Sequence, residues 1–123
     1  MAANSNRTLL ASAARTASVD TADQRNAYHR GVRIHIDATV LPGSACSNVF
    51  TVQGKDSITG DYYTLLASAA IVGTGDTFLY IYPGATAAAN AAVNLSLPST
   101  WRVSVAAGNA NSLTYAVTAE LLI

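Results

Sequence analysis

The chain has 123 residues, a formal net charge of zero and 11% charged residues, against roughly 25% in an average soluble domain. That length bounds the fold to one core, and the lone Cys46 excludes an internal disulfide and a cysteine-rich metal site. No apolar run approaches the roughly 18 residues of a membrane-spanning helix, so no membrane partner is expected.

Half of the residues are hydrophobic, many of them alanines that tolerate exposure. A thinly charged, net-neutral surface is poorly protected from association, which points to a protein that lives in an assembly. Arg7, Arg15, Arg25, Arg30 and Arg33 face only Asp20 and Asp23 in the early third; Lys55 and Arg102 face Asp37, Asp56, Asp61, Asp76 and Glu120 in the remainder. This asymmetry reads either as an arm for an acidic partner or as solvated arginines. Without an interleaved aromatic platform it is a poor nucleic-acid footprint, and no direct nucleic-acid contact is expected. The start MAANSNRT lacks the apolar block of a signal peptide, so the chain is expected to be made and kept in a reducing interior.

In chain order, residues 1–6 read as a flexible polar tail and residues 7–123 as a single β-sandwich domain. Arg7 to Val19 suits one long or two short strands, with a helix as competitor because of its alanines. Asp20 to Arg30 is polar and aperiodic and reads as a loop. Gly31 to Val40 alternates cleanly, with Val32, Ile34, Ile36 and Ala38 on one face and Arg33, His35, Asp37 and Thr39 on the other. Asn48 to Ser68 reads as a β-hairpin, its strands joined by the turn formers of Gly54 to Asp61. In Thr77 to Tyr82, Leu79 and Ile81 share one face and Phe78, Tyr80 and Tyr82 the other. One face is expected to meet the core and the other a neighbour. Ala85 to Val93 suits a short helix or a small-residue loop. Thr100 to Ala107 and Ser112 to Leu122 both alternate, and Gly108 to Asn111 is expected to close a hairpin between them.

Seven to eight strands with regular turn signals predict an all-β, antiparallel β-sandwich or jelly-roll-like barrel with at most one short helix. Its core is expected from Val32, Ile34, Ile36, Phe50, Val52, Trp101, Val103, Leu113, Tyr115 and Val117. Thr8-Leu9-Leu10-Ala11-Ser12-Ala13-Ala14 recurs as Thr64-Leu65-Leu66-Ala67-Ser68-Ala69-Ala70, and the same frame aligns Asp20-Thr21 with Asp76-Thr77. The plainer reading is two similar strands in equivalent places; the other is a duplicated pair of half-domains.

Chemistry-bearing groups are sparse. His35 and Asp37 lie two positions apart on one strand face, a conceivable metal or acid–base pair but more ordinarily a hydrogen-bonded or exposed one. Asp56 and Asp61 flank a turn that lacks the oxygen ladder of a calcium loop, so Asp56 is expected to cap its own backbone. Neither a G-x-S-x-G elbow nor a Cys-His context occurs. No catalytic residue, cofactor or metal is expected, and the chain is read as not an enzyme.

The ordered phrases TLLASAA, RGVRIHIDAT, VFTVQGKDSITGDYYTLLASAAI, LYIYPG and LPSTWRVSVAAGNANSLTYAV, from about Thr8 to the end, together resemble a group of small virion proteins encoded in tailed-bacteriophage structural gene clusters. The resemblance implies a non-enzymatic β-sandwich on the outside of the capsid, a cement or decoration protein whose partner is the major capsid protein. It is expected to pack there as a homo-oligomer, a trimer or dimer. The expected contact residues are Arg7, Leu9, Leu10, Arg15, Arg25, Tyr28, Arg30, Phe78, Tyr80 and Tyr82. A neck, tail or baseplate component would share the fold. A carbohydrate-binding module would instead use Tyr62, Tyr63, Tyr80 and Tyr82 as a stacking groove.

Overall fold

The computed structural model describes residues 3–123, whose regular structure is entirely extended. Its strands are β1 (Ser5–Arg15), β2 (Val19–Asp20), β3 (Gln24–Arg25), β4 (Gly31–Val40), β5 (Asn48–Lys55), β6 (Tyr62–Ala67), β7 (Gly75–Ile81), β8 (Ala92–Val93), β9 (Thr100–Ala107) and β10 (Leu113–Leu122). A first sheet has the order β1-β10-β4-β7-β8, and a second has β2-β9-β5-β6 with β3 also on β9. All ladders are antiparallel except β7–β8. The expected antiparallel sandwich is therefore present, with ten strands in place of seven or eight because β2, β3 and β8 are two-residue pieces.

Period-two alternation explains the layering. Val32, Ile34 and Ile36 of β4, Phe50 and Val52 of β5, Trp101 and Val103 of β9, and Leu113, Tyr115 and Val117 of β10 are fully buried between the sheets. Each large member contributes about 1.5–3 kcal/mol relative to exposure. The Phe50 and Tyr115 rings meet edge to face, centroids 5.1 Å apart at 86°, so the two sheets interlock at their centre.

Several expectations change. β9 and β10 do not form a hairpin: β9 pairs with β5 and β10 with β4 and β1, in opposite sheets. The Gly108–Asn111 connection crosses the sandwich, held by Gly108 N–H on the Ser47 carbonyl (2.6 Å) and by Asn111 Nδ2 on the Ala45 carbonyl (2.9 Å). Two strands that each bury one face can stack across a core as readily as pair at an edge, and alternation is blind to the difference. The Asp20–Arg30 loop is partly ordered against β9 through β2 and β3. Ser5 and Asn6, expected in the tail, belong to β1 and pair with Leu121 and Glu120. The remainder of that tail expectation includes Met1 and Ala2, which lie outside the described residues. Ala85 to Val93 is not helical: Tyr80 N–H bonds the Ala91 carbonyl and β8 runs parallel to β7.

The TLLASAA repeat marks a structural duplication of the chain. Thr8 and Leu10 face Thr118 and Val117, while Thr64 and Leu66 face Gln53 and Val52, so an extra residue, Leu9 or Leu65, sits in the same place of each ladder. Val19 and Asp20 face Val105 and Ser104, as Gly75 and Asp76 face Ala38 and Asp37. Phe50 and Val52 face Val105 and Val103, as Tyr115 and Val117 face Ala38 and Ile36. Exchanging residues 5–55 with residues 62–122 thus maps each sheet onto the other, apart from β8, which has no counterpart, and the register shifts at Leu10/Ala13 and Thr114/Tyr115, which the second sheet lacks. β1 corresponds to β6, β2 with β3 to β7, β4 to β9 and β5 to β10. The Phe50–Tyr115 contact maps onto itself. Both TLLASAA copies lie on sheet edges, just before the chain passes to the opposite sheet.

Two core substitutions have opposite expected signs. Trp101→Ala should lower stability in chemical denaturation by about 3–5 kcal/mol. The Tyr115 hydroxyl is buried without a hydrogen-bond partner among the described residues. Tyr115→Phe should therefore raise the unfolding free energy in the same measurement, by up to about 1 kcal/mol; a loss of that size would contradict the assignment.

Candidate functional site

The outer face of the first sheet is arranged in rows set by strand register. Asn6, Glu120, Arg33 and Tyr80 form one row, Thr8, Thr118, His35 and Phe78 the next, and Ala116, Asp37 and Asp76 a third. Because β7 carries aromatics at alternate positions, the face ends in a column of Phe78, Tyr80 and Tyr82. The Tyr80 and Tyr82 rings stack with centroids 6.0 Å apart, and Tyr82 donates its hydroxyl to the Ile123 carbonyl at 2.7 Å. Gly31 is required beneath Tyr82, since a Cβ there would collide with the Ile81 carbonyl and the Tyr82 ring.

Phe78 is 52% exposed, unusual for a phenylalanine inside a strand. With Tyr80, Arg33 and Leu122 it lines an open groove of about 530 Å³. Arg33 binds Glu120 at 2.7 Å beside it, so the groove has an apolar floor and a compensated charged rim. His35 stacks on Phe78, centroids 4.6 Å apart and nearly parallel, and its Nε2 lies 2.9 Å from Asp76 Oδ1.

Ligand atoms of His35, Asp37 and Asp76 lie within 4.8 Å of one another, a donor set that a divalent cation could accept. The duplication gives these residues a structural role instead. Their equivalents on the second sheet are Arg102, Ser104 and Asp20, where Ser104 Oγ donates to Asp20 at 2.6 Å and Arg102 lies 3.4 Å from the same carboxylate. In both sheets a side chain of the inner strand holds the aspartate of the flanking strand, His35 on Asp76 at 2.9 Å and Arg102 on Asp20 at 3.4 Å.

The outer face of the second sheet is closed by its own contacts. The Arg102 guanidinium lies 3.5 Å from the Tyr62 ring centroid and donates from Nε to Gln53 at 2.9 Å. The Tyr62 hydroxyl and the Lys55 ammonium both donate to Asp23, at 2.6 and 3.0 Å, and hold its carboxyl below the usual carboxylate range. The hydrogen bond and charge of Asp23 in turn raise Lys55. At the β5–β6 turn, Asp56 accepts from the Ile58 and Thr59 N–H groups, which lowers its carboxyl. It is an internal cap.

The expected contact residues divide by what the fold does with them. Arg7 donates to the Arg25 carbonyl at 3.1 Å and ties the edge of one sheet to β3 of the other. Arg15 donates to the carbonyls of Ala11 (2.7 Å) and Tyr115 (2.8 Å) and lies over the Tyr115 ring, next to the register irregularity of β1. Leu9 and Leu10 pack against the core. These four are built into β1, a full sheet member, so removing the N-terminal segment would remove a strand as well as a surface. Arg25, Tyr28 and Arg30 are exposed, Tyr28 to 79%. Only Phe78, Tyr80 and Tyr82 form a continuous apolar feature, and Arg33, His35 and Leu122 join them across the sheet. None of those three is among the expected contact residues: alternation puts Arg33 and His35 on the polar face of their strand, His35 is weighed there only with Asp37, and Leu122 carries no expectation. The four tyrosines of the glycan-groove reading do not converge. Tyr62 and Tyr63 belong to the second sheet, Tyr80 and Tyr82 to the first, and Tyr62 is covered by Arg102.

No protein-family model, curated protein or solved structure matches the chain.

Acid should weaken the second-sheet network and the turn first. Asp23 and Asp56 both titrate below their ordinary 3.8 in the folded chain, so their contribution is complete above that value and is lost as pH falls through the folded pKa. Lys55, raised above 10.5, contributes below that value and loses its contribution as pH rises through the folded pKa. Denaturation midpoints should therefore fall below about pH 4, and Asp23→Asn should flatten that fall; a midpoint insensitive to acid would refute the assignment.

Proposed function

We propose that this chain is a non-enzymatic structural protein of a tailed-bacteriophage virion, seated on the capsid exterior as a cement or decoration protein that bridges neighbouring major capsid subunits. The observation that carries the reading is the first sheet's outer face, where Phe78, Tyr80 and Leu122 form an apolar strip beside the compensated Arg33–Glu120 and His35–Asp76 pairs. Apolar aromatic area with a polar rim is what a protein partner buries. Side chains held on paired strands lose little conformational freedom on docking. The sandwich fold is compatible with this reading, and the resemblance of the ordered phrases to small phage virion proteins supports it. A homo-oligomer on the shell, dimer or trimer, fits the low net charge.

Phe78 and Tyr80 are the anchors in this reading, and Arg33 with Glu120 forms the rim. Phe78→Asp should cost about 2 kcal/mol or more of capsid binding, as expected for a buried aromatic anchor, while far-UV circular dichroism stays unchanged. The measurement is co-sedimentation of purified protein with capsids of the phage that encodes it. A particle reconstruction should show many copies over the head. Undiminished co-sedimentation of the variant would remove Phe78 as the anchor, and a ring of few copies at one vertex would displace the reading in favour of a neck or tail component.

A further inference from the structure

Every ladder of the two sheets, except the short β7–β8 one, joins a strand of residues 5–55 to a strand of residues 62–122. No strand of the first half pairs with another strand of that half. Strands alternate by origin across each sheet: β1 and β4 with β10 and β7 in the first, and β5 and β2 with β6 and β9 in the second. A half on its own has apolar faces but none of these inter-half hydrogen-bonded neighbours, so its complement must come from the other half or from an identical half elsewhere.

We infer that a second copy of this chain is a partner by exchange of halves: residues 5–55 of each copy pair with residues 62–122 of the other, giving an intertwined dimer whenever the turn at residues 56–61 cannot close. This inference is independent of where the protein works. It rests on the topology and on the equivalence of the halves, which share the extra residue at Leu9 and Leu65, so that the closed chain is a covalently joined, approximately two-fold pair.

The turn is the sole covalent link between the halves, and its hydrogen bonds are local. Asp56 N–H donates to the Asp61 carbonyl at 2.8 Å, Gly60 N–H to the Asp56 carbonyl at 2.7 Å, and Asp56 Oδ1 caps Ile58 and Thr59. Gly60 has a φ of 80°, and Ile58 is 94% exposed, so the tip packs against nothing. Opening the turn loses these contacts and leaves every sheet pairing available. The closed form is favoured because the linker keeps the two halves at high effective concentration. A linker too short to reverse the chain removes that advantage and leaves exchange as the way to satisfy both sheets.

Two full-chain variants test this. In the first, residues 56–61 are deleted so that Lys55 joins Tyr62; light scattering should give twice the wild-type mass, with an unchanged far-UV spectrum. In the second, a protease site replaces residues 57–60 and is cut after folding. The fragments should co-elute as a one-to-one complex with the wild-type spectrum, and should regain it when separated in denaturant and remixed. A deletion variant that is a folded monomer or forms no defined dimer, or cut fragments that part on a sizing column, would overturn the inference.

Discussion

The structure depends on one constraint: the backbone donors and acceptors of the first half of the chain are satisfied by the second half. A strand buried on one face must pair its N–H and C=O groups along its edges, and β1, β4 and β5 find those partners only among β6, β7, β9 and β10. Neither sheet can be complete until both halves are in place, which makes the sandwich a unit of long-range contacts. Such non-local pairing also predisposes the fold to slow assembly, since loop closure precedes its reward. The turn at residues 56–61 acts against this by keeping complementary halves close.

The duplication accounts for features that would otherwise be isolated facts. Arg102–Asp20 and His35–Asp76 occupy equivalent places and perform the same bridging of inner and flanking strands. Leu9 and Leu65 are the same extra residue in the same ladder, so the two TLLASAA copies make the same local irregularity on opposite sheets. The halves differ most in how they finish their outer faces. The second sheet gathers Arg102, Lys55, Asp23 and Gln53 around Tyr62 and closes itself. At the corresponding level the first sheet carries Phe78 and Tyr80, on which only His35 and Tyr82 stack, and Phe78 stays half exposed. That divergence gives an almost symmetric molecule one face suited to a partner.

The site was legible only in part. Alternation through Thr77 to Tyr82 placed Phe78, Tyr80 and Tyr82 on the face opposite Leu79 and Ile81, and the structure keeps them there. The arginines gave a misleading signal, because composition treats each as a free charge. Arg7 and Arg15 instead satisfy backbone carbonyls beside β3 and at the irregular part of β1, and no local pattern announces such a partner. Alternation could not join Arg33, His35 and Leu122 to the aromatics, because their place beside them comes from register between strands distant in sequence.

By itself the sequence determined β4, β5, β9 and β10 with the face each buries, because period-two alternation is a local property; it left β1 open between strand and helix, and of the turn formers at Gly54 to Asp61 it could not show that Gly54 and Lys55 belong to β5. It also carried the duplication, as a repeated phrase whose weight was undecidable from one short match. Only the tertiary structure decided which strands are neighbours. Gly108–Asn111 could join β9 to β10 side by side or face to face, and the hydrogen bonds of that loop to Ala45 and Ser47 chose the second. An alternating strand offers the same apolar face whichever edge partner it takes. Pairing is settled when all edges and both faces are satisfied together, and that condition exists only for the whole chain.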